Sequence, residues 1–142
     1  MQPLKARQVR IVPGLTYGSP KEVWGFRTKP TRGRPERVAQ TFLETNEELL
    51  GLRGLRLRHA RILESLGAHH VIHQQRLKGL PIHRAYATVH MDRKGRVYLV
   101  KNRAVPKELL EASADFQIAA VKARRIALRC VIKKKKSVAK GT

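Results

Sequence analysis

Residues 70–92 read His-Val-Ile-His-Gln-Gln-Arg-Leu-Lys-Gly-Leu-Pro-Ile-His-Arg-Ala-Tyr-Ala-Thr-Val-His-Met-Asp. Val71, His73, Gln75 and Leu77 fall on one side of an extended chain, and His70, Ile72, Gln74 and Arg76 on the other. That period of two predicts a strand. Lys78-Gly79 supplies a backbone able to turn, and Pro81 follows where a second strand starts, at a position that needs no ladder donor. Ala85, Ala87, Val89 and Met91 continue on one face, with Tyr86, Thr88 and His90 on the other. Asp92-Arg93-Lys94-Gly95 predicts a compact hairpin loop with glycine at positive φ, and Arg96 to Val100 returns as a third strand. The segments form an antiparallel meander.

Outward from this stretch, Leu55 to Leu63 alternates as a further strand, turning at Ser65-Leu66-Gly67. Pro35 opens a helix where its missing N–H costs nothing, and Glu36 suits the positive end of the helix dipole. Val38, Ala39, Phe42, Leu43, Leu49 and Leu50 recur at helical spacing, with Asn46 as the single polar break and Gly51 as the terminator. The expected fold is α+β: a four-stranded antiparallel sheet covered by one helix, plus a C-terminal helix. Residues 1–34 read as a basic segment with a short strand near 22–27, and Thr28 to Pro35 as a basic linker. Ser113 can cap the C-terminal helix over 115–128, and 131–142 reads as a disordered basic tail.

The meander resembles the FTP domain, the propeptide module of the fungalysin and thermolysin metallopeptidases. The family pattern is met by His70, Val71, Gln74, Gln75, Gly79, Leu80, Pro81, Val89, His90, Asp92 and Gly95. The helix through 39–52 is similar to the one that precedes the meander in the family, so the resemblance covers about residues 19–103. One departure is His83-Arg84-Ala85, where the family usually has Phe-Gly-Gly. The resemblance implies a helix-on-sheet domain over 35–103. It also implies that 104–130 is similar to the first helix of a PepSY module, truncated before its strands. The partner it implies is a metallopeptidase catalytic domain, inhibited or helped to fold by binding. Gln74, Gln75, Gly79, Pro81, His83 and Arg84 are the residues expected to meet that partner. For the two glutamines, hydrogen bonding within the domain is the competing reading, and for Gly79 and Pro81 it is turn chemistry.

The 142 residues suit one modest domain, too short for a metallopeptidase catalytic unit beside it. With 31 Lys and Arg against 10 Asp and Glu, the net charge is +21. Only 36–50 is acidic, so a polyanion is the second class of partner. The basic candidates are Lys122, Arg124, Arg125, Arg129, Lys133, Lys134, Lys135 and Lys136. Against nucleic-acid recognition, aromatics are 5% of the chain, and Trp24, Phe26 and Tyr86 are not interleaved with the cations along the sequence.

No enzyme class is supported. His69, His70 and His73 lack the His-Glu-x-x-His helix of a zincin, and on a strand His70 lies opposite the other two. No nucleophile elbow, phosphate loop or paired carboxylates occur, so no metal and no cofactor are expected. Cys130 is alone, which rules out an intrachain disulfide. No apolar run is long enough to span a membrane. The family is typically secreted, yet the N-terminal residues lack the apolar core of a signal peptide. Three functions remain open: a peptidase-binding propeptide-like protein, a polyanion- or nucleic-acid-binding protein on the same scaffold, and a truncated relic without function.

Overall fold

A computed structural model describes residues 1–111 and 124–130, in two compact units, Met1–Leu110 and Glu111–Thr142. The first unit is built on one antiparallel sheet. Its strands are β1 (Arg10–Pro13), β2 (Pro20–Trp24), β3 (Arg56–Ser65), β4 (Ala68–Leu77), β5 (Leu80–Asp92) and β6 (Val97–Asn102), in the order β1-β2-β6-β5-β4-β3. The sheet therefore has six strands, not the expected four. The meander ends on β6, whose outer edge would be open. β2 closes it by pairing Glu22 with Lys101 and Val23 with Val100, and Val23 is buried there. β1 then pairs with β2 and is exposed along its whole length, so no apolar alternation marks it in the sequence.

The strands of the meander lie close to where their alternation placed them. Leu77 pairs with Leu80 across Lys78 and Gly79, both at positive φ, as the two central residues of a tight two-residue hairpin require. At the other turn Gly95 has φ 70, and a Cβ there would collide with the Thr31 carbonyl oxygen, so only glycine fits. That collision arises because residues 28–31, part of the expected basic linker, are laid against the β5–β6 hairpin. The Thr28 N–H donates to Val97 O at 2.9 Å, Thr28 Oγ1 accepts from the Val97 N–H at 2.8 Å, and the Thr31 N–H donates to Lys94 O at 3.1 Å.

The covering helix comes in two pieces, α1 (Pro35–Thr45) and α2 (Glu47–Leu50). Asn46 breaks it with φ −111 and ψ 18. Its buried side chain donates to Phe42 O and accepts from the Leu4 N–H, both at 2.8 Å, so the break also ties down the N-terminus. An asparagine amide competes with the helical backbone in this way. Gly51 follows α2 at φ 67, the left-handed termination that the sequence predicted. Phe42 and Leu50 sit on Val71, Ala87, Val89, Met91, Val97 and Val100, with Phe26 stacked on Phe42 at 5.8 Å. Phe42 is 0% exposed. The opposite face of the sheet carries neither α1 nor α2, since their core partners all lie on one side.

β3 is the outer strand on its side and is mostly exposed, with Arg56, Arg58 and Arg61 along it and a bulge between His59 and Arg61. After Pro106, α3 covers Lys107–Glu111. In the second unit, residues 124–130 are helical and exposed, which places Arg124, Arg125 and Arg129 on a helix. The rest of the expected C-terminal helix, with Lys122, and the run Lys133, Lys134, Lys135 and Lys136 lie outside the described residues.

Candidate functional site

The partner residues expected from the sequence gather where β4 meets β5. Gln74 pairs with Tyr86 and Arg76 with Pro81. A single residue of β4, Gln75, is therefore matched against Ile82 to Ala85, and β5 swells into a four-residue bulge. Gln74 holds it closed: its Nε2 donates to Ile82 O at 2.7 Å and to Ala85 O at 2.8 Å. Arg84, at the top of the bulge, takes φ 58, a conformation that glycine adopts freely and other residues at a cost. His83 and Arg84 project into solvent.

Gln75 points the other way and is fully buried. Its Oε1 accepts from the Val105 N–H at 2.7 Å and its Nε2 donates to Val105 O at 2.9 Å. Asn102 works beside it, donating to Leu50 O at 2.8 Å and accepting from the Ala104 N–H at 2.9 Å. Both amides fix residues 102–105 against the sheet. Gly79 sits in the exposed hairpin turn and Pro81 just after it. The two glutamines are thus used inside the domain, while His83 and Arg84 are presented outward.

The bulge and residues 102–105 form two walls of a groove of about 640 Å³, and the β1–β2 loop forms the third. Leu15 and Tyr17 on that loop are exposed, Leu15 completely. Among the described residues, Lys21, His83, Arg84 and Arg103 line the groove and no carboxylate does. Low-dielectric walls holding charge of one sign attract the opposite sign. The contribution of the β1–β2 loop was not visible in the sequence, because Gly14 to Ser19 carries no periodic pattern and its partners lie more than sixty residues away.

The histidines separate by face. His73 is fully buried on the covered side, neither ring nitrogen has a hydrogen-bond partner, and His59 meets it edge to face at 6.0 Å. Burial above all, and the His59 charge after it, lower the His73 pKa to about 4. On the open side, His70 Nδ1 lies 2.5 Å from His90 Nδ1, and His70 Nε2 lies 2.7 Å from Ser65 Oγ. Burial, then His70, then Lys101 lower the His90 pKa to about 4. Among the described residues no three His, Cys, Asp or Glu side chains converge as metal ligands.

Asp92 organises the β5–β6 turn, accepting at Oδ1 from the N–H groups of Lys94 (2.9 Å) and Arg96 (3.1 Å), and at Oδ2 from Arg96 Nε at 2.7 Å. Desolvation opposes ionisation, but the Arg96 and Lys94 hydrogen bonds and the Arg96 charge outweigh it and hold the carboxyl below its ordinary value.

The segment carrying the bulge, both glutamines and the Asp92 turn is also the segment that matches a known family motif. Residues 54–104 match the Fungalysin/Thermolysin Propeptide Motif. The propeptide motif thus takes in β3 to β6 with the amide-fixed wall at 102–104, and it includes Gln74, Gln75, Gly79, Pro81, His83 and Arg84. It leaves out β1, β2, the helices α1 and α2, and everything after 104, so the PepSY-like reading of 104–130 gains no support. A role like that of a metallopeptidase propeptide is what this motif suggests. Neither the curated proteins nor the solved structures contain a match to the chain. Among the described residues no helix is long and apolar enough to cross a membrane.

Proposed function

We propose that this protein acts on a metallopeptidase catalytic domain by binding it, as an inhibitor or a folding chaperone. The observation that carries the reading is the match of the propeptide motif to the segment that builds the bulge and the groove wall at 102–104. Arg84 adds to it. The family usually has glycine around this position, and Arg84 keeps the left-handed backbone that glycine favours. The bulge thus carries a charged side chain at a backbone position suited to glycine.

The groove gives the contact its chemistry. Lys21, Arg84 and Arg103 offer donors to carboxylates, while exposed Leu15 and Tyr17 offer apolar area beside them. A partner surface with an acidic rim around an apolar residue meets both demands, in the ordinary arrangement of a protein interface. A sheet fixed by Gln74, Gln75 and Asn102 binds without first being ordered, which removes one cost of association.

The test is inhibition and assisted refolding of thermolysin-type catalytic domains by the full chain. Slower peptide hydrolysis, or a higher yield of active enzyme after dilution from denaturant, is the expected result. Reversing the groove charge with Arg84→Glu and Arg103→Glu should abolish either effect while the protein stays folded. A folded wild-type protein that neither inhibits nor assists any of several such enzymes would overturn the proposal.

A further inference from the structure

We propose that the face of the sheet opposite α1 and α2 binds single-stranded nucleic acid, holding phosphates on its cations and bases on its aromatic rings. This goes beyond the peptidase reading and uses a face that meets the groove only at its edge, where Arg103 and Val12 belong to both.

Folding sorts the charge. The acidic residues of α1 and α2, Glu36, Glu44, Glu47 and Glu48, belong to the helical side. Lys101 on β6, Arg76 on β4, and Arg56, Arg58 and Arg61 on β3 share the other side with Ile72 and Thr88, by their register. One cross-strand row runs over all six strands: Val12, Glu22, Lys101, Thr88, Ile72, Arg61. Glu22 and Asp92 are the acids that fall on this face among the described residues. Glu22 faces Lys101 across the β2–β6 pair, and Asp92 is held by Arg96 at 2.7 Å and Arg27 at 3.2 Å. An approaching polyanion therefore meets a positive surface on this side and acidic helices on the other.

The aromatic residues are sorted the same way. Trp24, Tyr86 and Tyr98 are far apart in the chain, yet all three come to this face, each with a guanidinium over its ring. Arg10 lies 5.1 Å from the Trp24 centroid, Arg27 lies 5.7 Å from Tyr98 and Arg103 lies 5.9 Å from Tyr86. Trp24 is 42% exposed. Aromatic rings and guanidinium planes are the two platforms on which unpaired bases stack, and cations around them track the backbone. A duplex hides its base faces, and a sulfated polysaccharide has none. The combination fits a single strand better than either.

Trp24 is the only tryptophan, so its emission reports on this face alone. The full chain is titrated with oligo(dT), with a blunt duplex of equal charge, with heparin and with poly-glutamate, at several salt concentrations. Oligo(dT) should quench Trp24, and salt should weaken the affinity. Heparin should bind without comparable quenching. Tyr86→Leu combined with Tyr98→Leu, in a protein whose melting is checked, should weaken oligo(dT) binding by at least about fivefold, the lower end of a base–aromatic stack. Heparin affinity should stay the same. Converting Lys133, Lys134, Lys135 and Lys136 to Gln should leave the quenching in place. Three results would each overturn the proposal: no quenching by oligo(dT), binding lost with the lysine run alone, or duplex or poly-glutamate bound as tightly as oligo(dT) with the same quenching.

Discussion

The two faces of the one sheet are built from the same strands by the same alternation, and they do opposite things. On the covered face, Val71, Val89, Met91 and Val100 are sealed under Phe42 and Leu50, and even His73 is buried without a hydrogen bond. On the open face, the neighbouring residues of those strands are Ile72, Thr88, His90 and Lys101, half-buried or exposed. What separates them is which residues the helices could afford to cover. A substitution should therefore register as lost stability on one face and as altered binding on the other.

The sharpest way to break that contrast is Phe42→Ala. Losing a fully buried ring that contacts the sheet and Phe26 should cost about 3–5 kcal/mol, a large part of the roughly 5–15 kcal/mol typical of a domain. Denaturant unfolding would show it as a large fall in midpoint. A variant that unfolds like wild type would mean that the helices do not seal this face.

Next in size is acid. His73 is held at about 4 when folded and titrates near 6.5 when unfolded. The unfolded chain therefore takes up a proton first, and stability falls as the pH drops from 6.5 through about 4. At about 1.4 kcal/mol per unit this is roughly 3 kcal/mol in all. The Asp92 carboxyl, lowered by its hydrogen bonds, adds a further loss below 3.8. His90, also lowered to about 4, contributes over the same range as His73. Unfolding measured between pH 7 and pH 4 should therefore show the summed slope, and His73→Leu should reduce it by about half. An unchanged slope in that variant would place the titrating group elsewhere.

The bulge should respond with the opposite sign. Arg84→Gly relieves a left-handed backbone that costs a non-glycine residue about 1–2 kcal/mol, and glycine gives back about 0.4–1 kcal/mol through the freer unfolded chain. The net expectation is a gain near 0.5 kcal/mol, read as a slightly higher melting temperature. Smallest of all is Trp24→Ser on the open face, which should change stability by less than about 0.5 kcal/mol while weakening oligo(dT) binding. A large loss of stability there would mean that the open face is part of the core.

Much of the covered face was legible in the sequence, because burial on one side imposes a period. Val71, Val89 and Met91 announced their strands, and Lys78-Gly79 and Asp92 to Gly95 announced their turns. The four-stranded expectation failed where that signal vanishes. Arg10 to Pro13 is exposed throughout, so no alternation of buried and exposed residues marks Ile11 and Val12 as part of a strand. The helix break was visible as a polar residue in an apolar stripe, but its use by Leu4 depends on a partner 42 residues away. The open face was the least legible. Cations and rings that look scattered along the chain come together only once the register is known, because Trp24, Tyr86 and Tyr98 sit on three different strands.

β3 has one consequence for the protein in solution. Ten residues long, it ends the sheet with a row of backbone donors and acceptors available to any other strand of suitable length. An antiparallel second copy would complete that row, but it would also bring the arginines of both strands together at strand spacing. The bulge between His59 and Arg61 would break the ladder midway. Self-association through this edge is thus opposed by charge and by shape. The charge part of that protection depends on ionic strength, so concentrated salt exposes the chain to aggregation that dilute buffer suppresses.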